Sequence, residues 1–168
     1  MYEWHRGGAT RLDRYGDSGY PTESLSKLAI QMPDHEPDDT ETSYEMGKRL
    51  FLEGMHEFSS GGYFEAHDLW EEFWQELRGP DRVFVQALIH LAVGTYHHEN
   101  GNLNGAHSQL GKAAMKLSKY PPGHWGVTTD EWLAWIGGVL ANRVVVRPTG
   151  GLQFDLDKFP AHFPMAPR

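Results

Sequence analysis

The feature that most constrains the fold of this chain is a helical pattern of apolar residues that occurs twice, 40 residues apart. The first stripe comprises Tyr63, Ala66, Trp70, Phe73, Trp74 and Leu77, and the second comprises Leu103, Ala106, Leu110, Ala113, Ala114 and Leu117. The preceding helices match at the same offset, in the pairs Tyr44/Phe84, Phe51/Leu91 and Gly54/Gly94. Because one offset relates both helix pairs, the sequence predicts two stacked helical hairpins.

Five helices are expected from this periodicity and from the helix-start signals, over residues 44–58, 63–77, 81–98, 103–117 and 130–140. The third is apolar on nearly every side, so we expect it to be central. The fifth follows a Thr128-x-x-Glu131 pattern typical of a capping box. Four tryptophans have core spacing: Trp70, Trp74, Trp132 and Trp135. The predicted fold class is all-α, a multi-helix bundle of two stacked hairpins, related as a pseudo-repeat, plus a closing helix.

The composition changes on both sides of this predicted domain, which covers residues 42–142. Residues 1–41 include a Pro-bounded acidic stretch from Pro33 to Glu41 and are interpreted as an extension that packs on the surface. Residues 143–168 are punctuated by Pro and Gly, and the run Val144–Val146 favours a small hairpin or, equally, an extended tail. Both extensions carry isolated aromatic residues, so we expect them to pack across the helices and to help build a homodimer.

The charge and the composition exclude several classes of function. With 23 Asp and Glu against 15 Lys and Arg, the formal net charge is −8, which argues against a nucleic-acid partner. Lys112, Lys116 and Lys119 have helical spacing and are interpreted as a solvated helix face. The apolar runs are too short for a bilayer span, so no membrane association is predicted. The chain has no cysteine, which excludes thiol chemistry and favours a cytoplasmic location.

Polar residues interrupt the apolar faces of the second and third helices. The candidate polar cluster comprises Glu65, His67, Glu71, Gln86, His90 and His97. If the two helix faces meet, His67, Glu71 and His97 offer nitrogen and oxygen ligands for a divalent transition metal such as zinc, manganese or iron. A buried hydrogen-bond network that sets the helix register is the alternative interpretation, and the sequence leaves both open.

Several of these residues also lie in a family pattern. The segment from Gly61 to Trp74 (GGYFEAHDLWEEFW) is followed by Val85 to Ala92 (VQALIHLA), His97, Gly101-Asn102 and Gly105-Ala106. This ordered set resembles the bacterial and archaeal family called domain of unknown function 309. The pattern residues are Glu65, His67, Glu71, Trp74, Gln86 and His97, and Ala87 stands where the family usually has Gly. The resemblance implies a small helical bundle without an established activity.

Two functions stay open from the sequence. The first is a non-catalytic binding or scaffold module, in which a groove between the hairpins binds a protein or a small molecule. The second is a small metal-dependent or acid–base enzyme, hydrolase-like, that uses His67, Glu71 and His97. No phosphate loop, nucleophile elbow or dinucleotide fingerprint is present to decide between them.

Overall fold

The computed structural model describes residues 41–166, and within this range the chain folds into five α-helices and a two-stranded sheet. The helices are α1 (Ser43–Ser59), α2 (Tyr63–Glu76), α3 (Arg82–Glu99), α4 (Leu103–Leu117) and α5 (Asp130–Leu140). Each predicted helix end agrees with the structure to within one residue, and the all-α fold class is confirmed. The predicted extension over residues 1–41 lies, apart from Glu41, outside the described residues.

Within each hairpin, the two helices are joined by a loop of the same geometry. Gly61 has a φ of +85° in the first loop, and Gly101 has a φ of +72° at the equivalent position of the second. The N–H of Gly61 donates to the carbonyl of Phe58 at 3.2 Å, and that of Gly101 donates to the carbonyl of His98 at 3.1 Å. Each donor and each acceptor is related to its counterpart by the 40-residue offset. The backbone of the two loops therefore follows the same 40-residue offset as the apolar stripes.

The helix starts are stabilised in different ways. At α1, Thr42 and Glu45 form a reciprocal capping box, with N–H to side-chain oxygen distances of 2.9 and 3.2 Å. The predicted capping box at α5 is wrong, because Thr129 is the N-cap and makes no side-chain capping bond. Thr128 instead has the extended backbone of β1 (Val127–Thr128), which pairs antiparallel with β2 (Gln153–Phe154). Thr128 therefore pairs with the tail as part of β1 and does not cap α5.

The core lies between the two hairpins, and α3 supplies much of it. α3 packs against both α2 and α4, while α5 covers α4. Trp70, Trp132 and Trp135 are buried as predicted. Trp74, which was also assigned to packing, is partly buried and packs against this core. It lies at the edge of its stripe, where the guanidinium carbon of Arg82 sits 3.6 Å from the ring centroid in a cation–π contact.

The tail is extended and completes the core. Phe163 is 2% exposed and stacks on Trp125, with ring centroids 5.5 Å apart. The Arg78 N–H donates to the carbonyl of Pro164 at 2.7 Å, which ties the tail to the end of α2. Val144–Val146 forms no strand, because the segment that pairs with β1 lies further along the tail. Within residues 41–166, no helix combines the length and apolarity that a membrane span requires.

Equivalent glycines allow the close approach of the two helices in each hairpin. A Cβ built on Gly54 would overlap the indole of Trp70, and one on Gly94 would lie 2.7 Å from Cδ2 of Leu110. Gly54 and Gly94 are related by the 40-residue offset, and so are Trp70 and Leu110. Both neighbours are fully buried, so neither side chain can move away freely.

Alanine at Gly54 or at Gly94 is therefore expected to destabilise the fold by about 1–2 kcal/mol, although alanine favours helix formation. Gly137 in α5 is the matched control, since an added Cβ there meets no heavy atom within 4 Å. Gly137→Ala is expected to raise stability by about 0.5–1 kcal/mol. Urea denaturation measures all three variants, and equal effects at the three positions would contradict the packing argument.

Candidate functional site

The candidate site is a polar strip where α3 reaches the surface between α2 and α4. Before Glu99, α3 has no fully exposed side chain, and its partly exposed positions include Gln86, His90 and His97 on one face. We call this strip and the side chains that flank it the seam. The seam comprises His67 and Glu71 of α2, Gln86, His90 and His97 of α3, Asn102 at the start of α4, and Gln109 of α4.

On α2, His67 is held between two carboxylates. Its Nδ1 lies 3.0 Å from Oδ1 of Asp68, and its Nε2 lies 3.4 Å from Oε2 of Glu71. The Glu71 contact is the one that the four-residue spacing predicts. Asp68 was missed because neighbours in a helix sequence usually point apart. The side chain of His67 is 23% exposed and that of Glu71 is 46% exposed, so this pair lies at the surface and is not a buried network.

On α3, His90 is bonded to the neighbouring helix. Its Nδ1–H donates to Oε1 of Gln109 on α4 at 2.8 Å. Burial lowers the pKa of His90, and the positive charges of Lys116, Lys112 and His67 lower it further, against the raising effect of the Gln109 hydrogen bond. His90 is therefore a neutral imidazole at neutral pH, with its Nε2 lone pair uncommitted to Gln109. The sequence carries no signal for Gln109, which lies 19 residues away.

At the other end of the seam, His97 is oriented by a helix cap. The side-chain oxygen of Asn102 accepts the N–H of Gly105 at 3.0 Å, so its amide nitrogen faces His97 and donates to Nδ1 at 3.2 Å. His97 therefore carries its proton on Nε2. A Cβ on Gly105 would lie 2.9 Å from the imidazole ring. Asn102, part of the family pattern, therefore both caps α4 and positions the histidine.

Aromatic side chains surround this end of the seam. Phe64 is 37% exposed, and its ring centroid lies 6.0 Å from that of His67 and 6.2 Å from that of Tyr96. Tyr96 in turn lies 6.0 Å from His97. Phe64 and Tyr96 were not in the predicted cluster, because an aromatic residue on a helix is ordinarily assigned to packing. They give the seam one apolar end and one polar end.

The predicted metal ligands do not form one group. His67 contacts Glu71, whereas His97 is bonded to Asn102, so two of the three predicted ligands meet. Among residues 41–166, no group of three or more His, Asp or Glu side chains is placed to hold a metal ion. The metal site over His67, Glu71 and His97 stays a prediction.

Glu65 belongs to a different part of the surface. It precedes His67 by two residues, and side chains at that spacing point to different sides of a helix. Its Oε2 lies 3.3 Å from the position of a Cβ built on Gly62, beside the carboxylate of Glu57. The structure therefore places Glu65 at the start of α2 and does not bring it into the seam.

Comparison with known proteins confirms the resemblance noted in the sequence. Residues 51–109 match the model of a family described as Domain of unknown function (DUF309). The matched range extends from α1 to Gln109 and contains every residue of the seam. An uncharacterized protein of Aquifex aeolicus (strain VF5) is 21% identical over 100 residues. The matched region is 59% of this chain and 30% of that relative, so the chain spans less than a third of its length.

The stability of the fold is expected to depend on pH through His90. Its folded-state pKa lies below the ordinary value of 6.5, so the unfolded chain binds a proton first as the pH falls. The contribution of His90 is therefore present above pH 6.5 and is lost as the pH falls from 6.5 toward the folded-state pKa. His90→Gln keeps a hydrogen-bonding group without a titrating one. Urea denaturation at about pH 7.5 and about pH 5.5 should show a smaller pH effect in the variant. Equal effects in both proteins would contradict this assignment.

Proposed function

We propose that this chain, whose residues 51–109 match a family of unestablished function, is a non-catalytic binding module with its ligand along the seam. The observation that carries the proposal is the arrangement of three partly exposed histidines, each held in place by a side chain of the protein. The partners are Glu71 and Asp68 for His67, Gln109 for His90, and Asn102 for His97. Polar groups that are already oriented at a surface bind a ligand with little further loss of side-chain entropy.

The chemistry of the seam supports a ligand with both polar and apolar parts. Phe64 and Tyr96 offer ring surface at one end, and the nitrogens of His90 and His97 offer an acceptor and a donor beside it. A few oriented polar groups next to aromatic surface are typical of sites for small molecules and for short peptide segments. Imidazoles whose ring nitrogens are held by fixed hydrogen bonds also discriminate donors from acceptors on the ligand.

The arrangement favours binding over the enzyme alternative. An acid–base or metal-dependent mechanism needs His67, Glu71 and His97 to act on one reacting group. His97 instead accepts a hydrogen bond from Asn102, while both ring nitrogens of His67 face carboxylates on its own helix. The three side chains serve separate points along the seam, as expected for a surface that recognises an extended ligand.

A fragment screen monitored by the imidazole NMR signals tests the proposal. The probes are a set of small neutral and charged aromatic fragments added singly to the full chain. We expect saturable shifts at His90 and His97, with His56 on α1 and His162 on the tail as internal controls that do not respond. Phe64→Ala, a half-exposed position, should weaken the responding fragments by about tenfold. Fragments that shift only the signals of the control histidines would refute the proposal. A screen in which no fragment binds the seam would refute it as well.

A further inference from the structure

The α4 edge of the seam carries a stripe of polar and basic side chains. Gln109 lies against His90, with 2.8 Å between its Oε1 and the imidazole Nδ1. Lys112 and Lys116 follow Gln109 by three and seven residues, a spacing that places all three side chains on one side of the helix. Both lysines act electrostatically on His90, as expected if their ammonium groups lie along the same edge. The two lysines therefore lie on the same side of α4 as Gln109, which bonds to His90.

This positive charge is not neutralised by the described part of the chain. The ion pairs within residues 41–166 involve other basic residues, and neither Lys112 nor Lys116 takes part in one. The carboxylates on the α2 edge, Asp68 and Glu71, are engaged by His67. In a protein with a net charge of −8, two adjacent lysines without a carboxylate partner are an unusual local excess of positive charge.

We infer that Lys112, Lys116 and the His90–Gln109 pair form a binding site for an anionic oxygen group, a carboxylate or a phosphate, of the ligand that the seam binds. The site rests on the proposed function and specifies the charge of the ligand. Two ammonium groups donate to the anion, and His90 faces it from the floor of the seam. The aromatic end, at Phe64 and Tyr96, then receives the apolar part of the same ligand.

The burial of His90 gives this site a property that a simple pair of surface lysines lacks. Besides burial, Lys116 and Lys112 on α4 and His67 on α2 disfavour a proton on His90, and an anion held by the two ammonium groups opposes the part of this effect that the lysines contribute. Anion binding should therefore raise the pKa of His90 and be accompanied by proton uptake, most strongly at mildly acidic pH. Protonated His90 would itself attract the anion, so binding should tighten as the pH falls through this range.

The test is a titration of the full chain with inorganic phosphate, and separately with acetate, at low ionic strength. The imidazole signal of His90 should shift saturably with at least one anion, and its pKa should rise. Lys112→Gln and Lys116→Gln should each weaken binding by about tenfold, the loss of one charge-assisted hydrogen bond. Lys119→Gln is the matched control, because Lys119 lies beyond the end of α4 and is not among the charges that act on His90. It should leave the affinity unchanged.

The preference between the two anions identifies the group that the site accepts. Absence of a saturable shift with both anions would overturn the inference, and so would an equal loss of affinity in the Lys119→Gln control. Lys112 is exposed, so Lys112→Gln is expected to fold normally and by itself decides the outcome if Lys116→Gln does not fold. Neutral aromatic fragments that still bind at His97 would show that only the anion site has failed, and not the binding module.

Discussion

Replacement of Gly126 by alanine is expected to be among the most damaging single changes in this fold, at about 3–5 kcal/mol. Gly126 has a φ of +78°, which strains any residue with a side chain. A Cβ there would also overlap the backbone carbonyl oxygen of Asp155, and backbone cannot rotate away as a side chain can. The clash falls where the tail is attached, since the Asp155 N–H donates to the carbonyl of Gly126 at 2.9 Å.

Gly123 provides the control that separates strain from contact. Its φ of +74° is nearly the same, but an added Cβ would meet no heavy atom within 4 Å. Gly123→Ala should therefore cost only the backbone strain, about 1–2 kcal/mol. Urea denaturation of the two variants measures the difference. If Gly123→Ala proves as damaging as Gly126→Ala, the close approach of the tail contributes nothing.

Replacement of Phe163 by alanine is expected to have a comparable effect, about 3–5 kcal/mol, because it empties a buried site in the middle of an aromatic cluster. The ring of Phe163 lies 5.2 Å from that of Phe73, 5.5 Å from that of Trp125 and 4.9 Å from that of Tyr44. It joins the tail to α1, to α2 and to the loop before α5. The loss of this ring should therefore lower the midpoint of the cooperative unfolding transition of the whole domain and not only release the tail.

Two further variants make this result interpretable. Phe163→Leu keeps most of the apolar volume and should recover about half of the loss. Leu156→Ala removes a large side chain from the same tail at a position that is 43% exposed, and should cost less than about 1 kcal/mol. Thermal and urea unfolding, followed by tryptophan fluorescence, report on both. Similar losses for Phe163→Ala and Leu156→Ala would mean that the tail is not part of the core.

Much of the helical architecture could be predicted because its signals are local. α4 and α5 begin and end at the expected residues, Leu103–Leu117 and Asp130–Leu140, since each carries its own apolar stripe. The contact of His67 with Glu71 is also confined to one turn of a single helix. Such features depend on 3.6-residue periodicity alone, which the sequence displays directly.

The partners of His90 and His97 could not be predicted in the same way. Gln109 reaches His90 only because α4 is rotated so that this side chain faces α3. The amide of Asn102 reaches His97 only because its oxygen is already used to cap α4. In each case the sequence offers several equivalent candidates, and the rotation of a helix or the conformation of a cap selects one of them.

By itself, the sequence determined the five helices, the pseudo-repeat and the polar face of α3, because these follow from the spacing of residues within each element. The tertiary structure alone decided that Phe163 completes the core and that Trp74 lies at its edge beneath Arg82. Apolar residues in a tail and on a stripe edge have no fixed partner in the sequence. Their burial depends on which surfaces remain uncovered once the helices have packed, and that is a property of the whole domain.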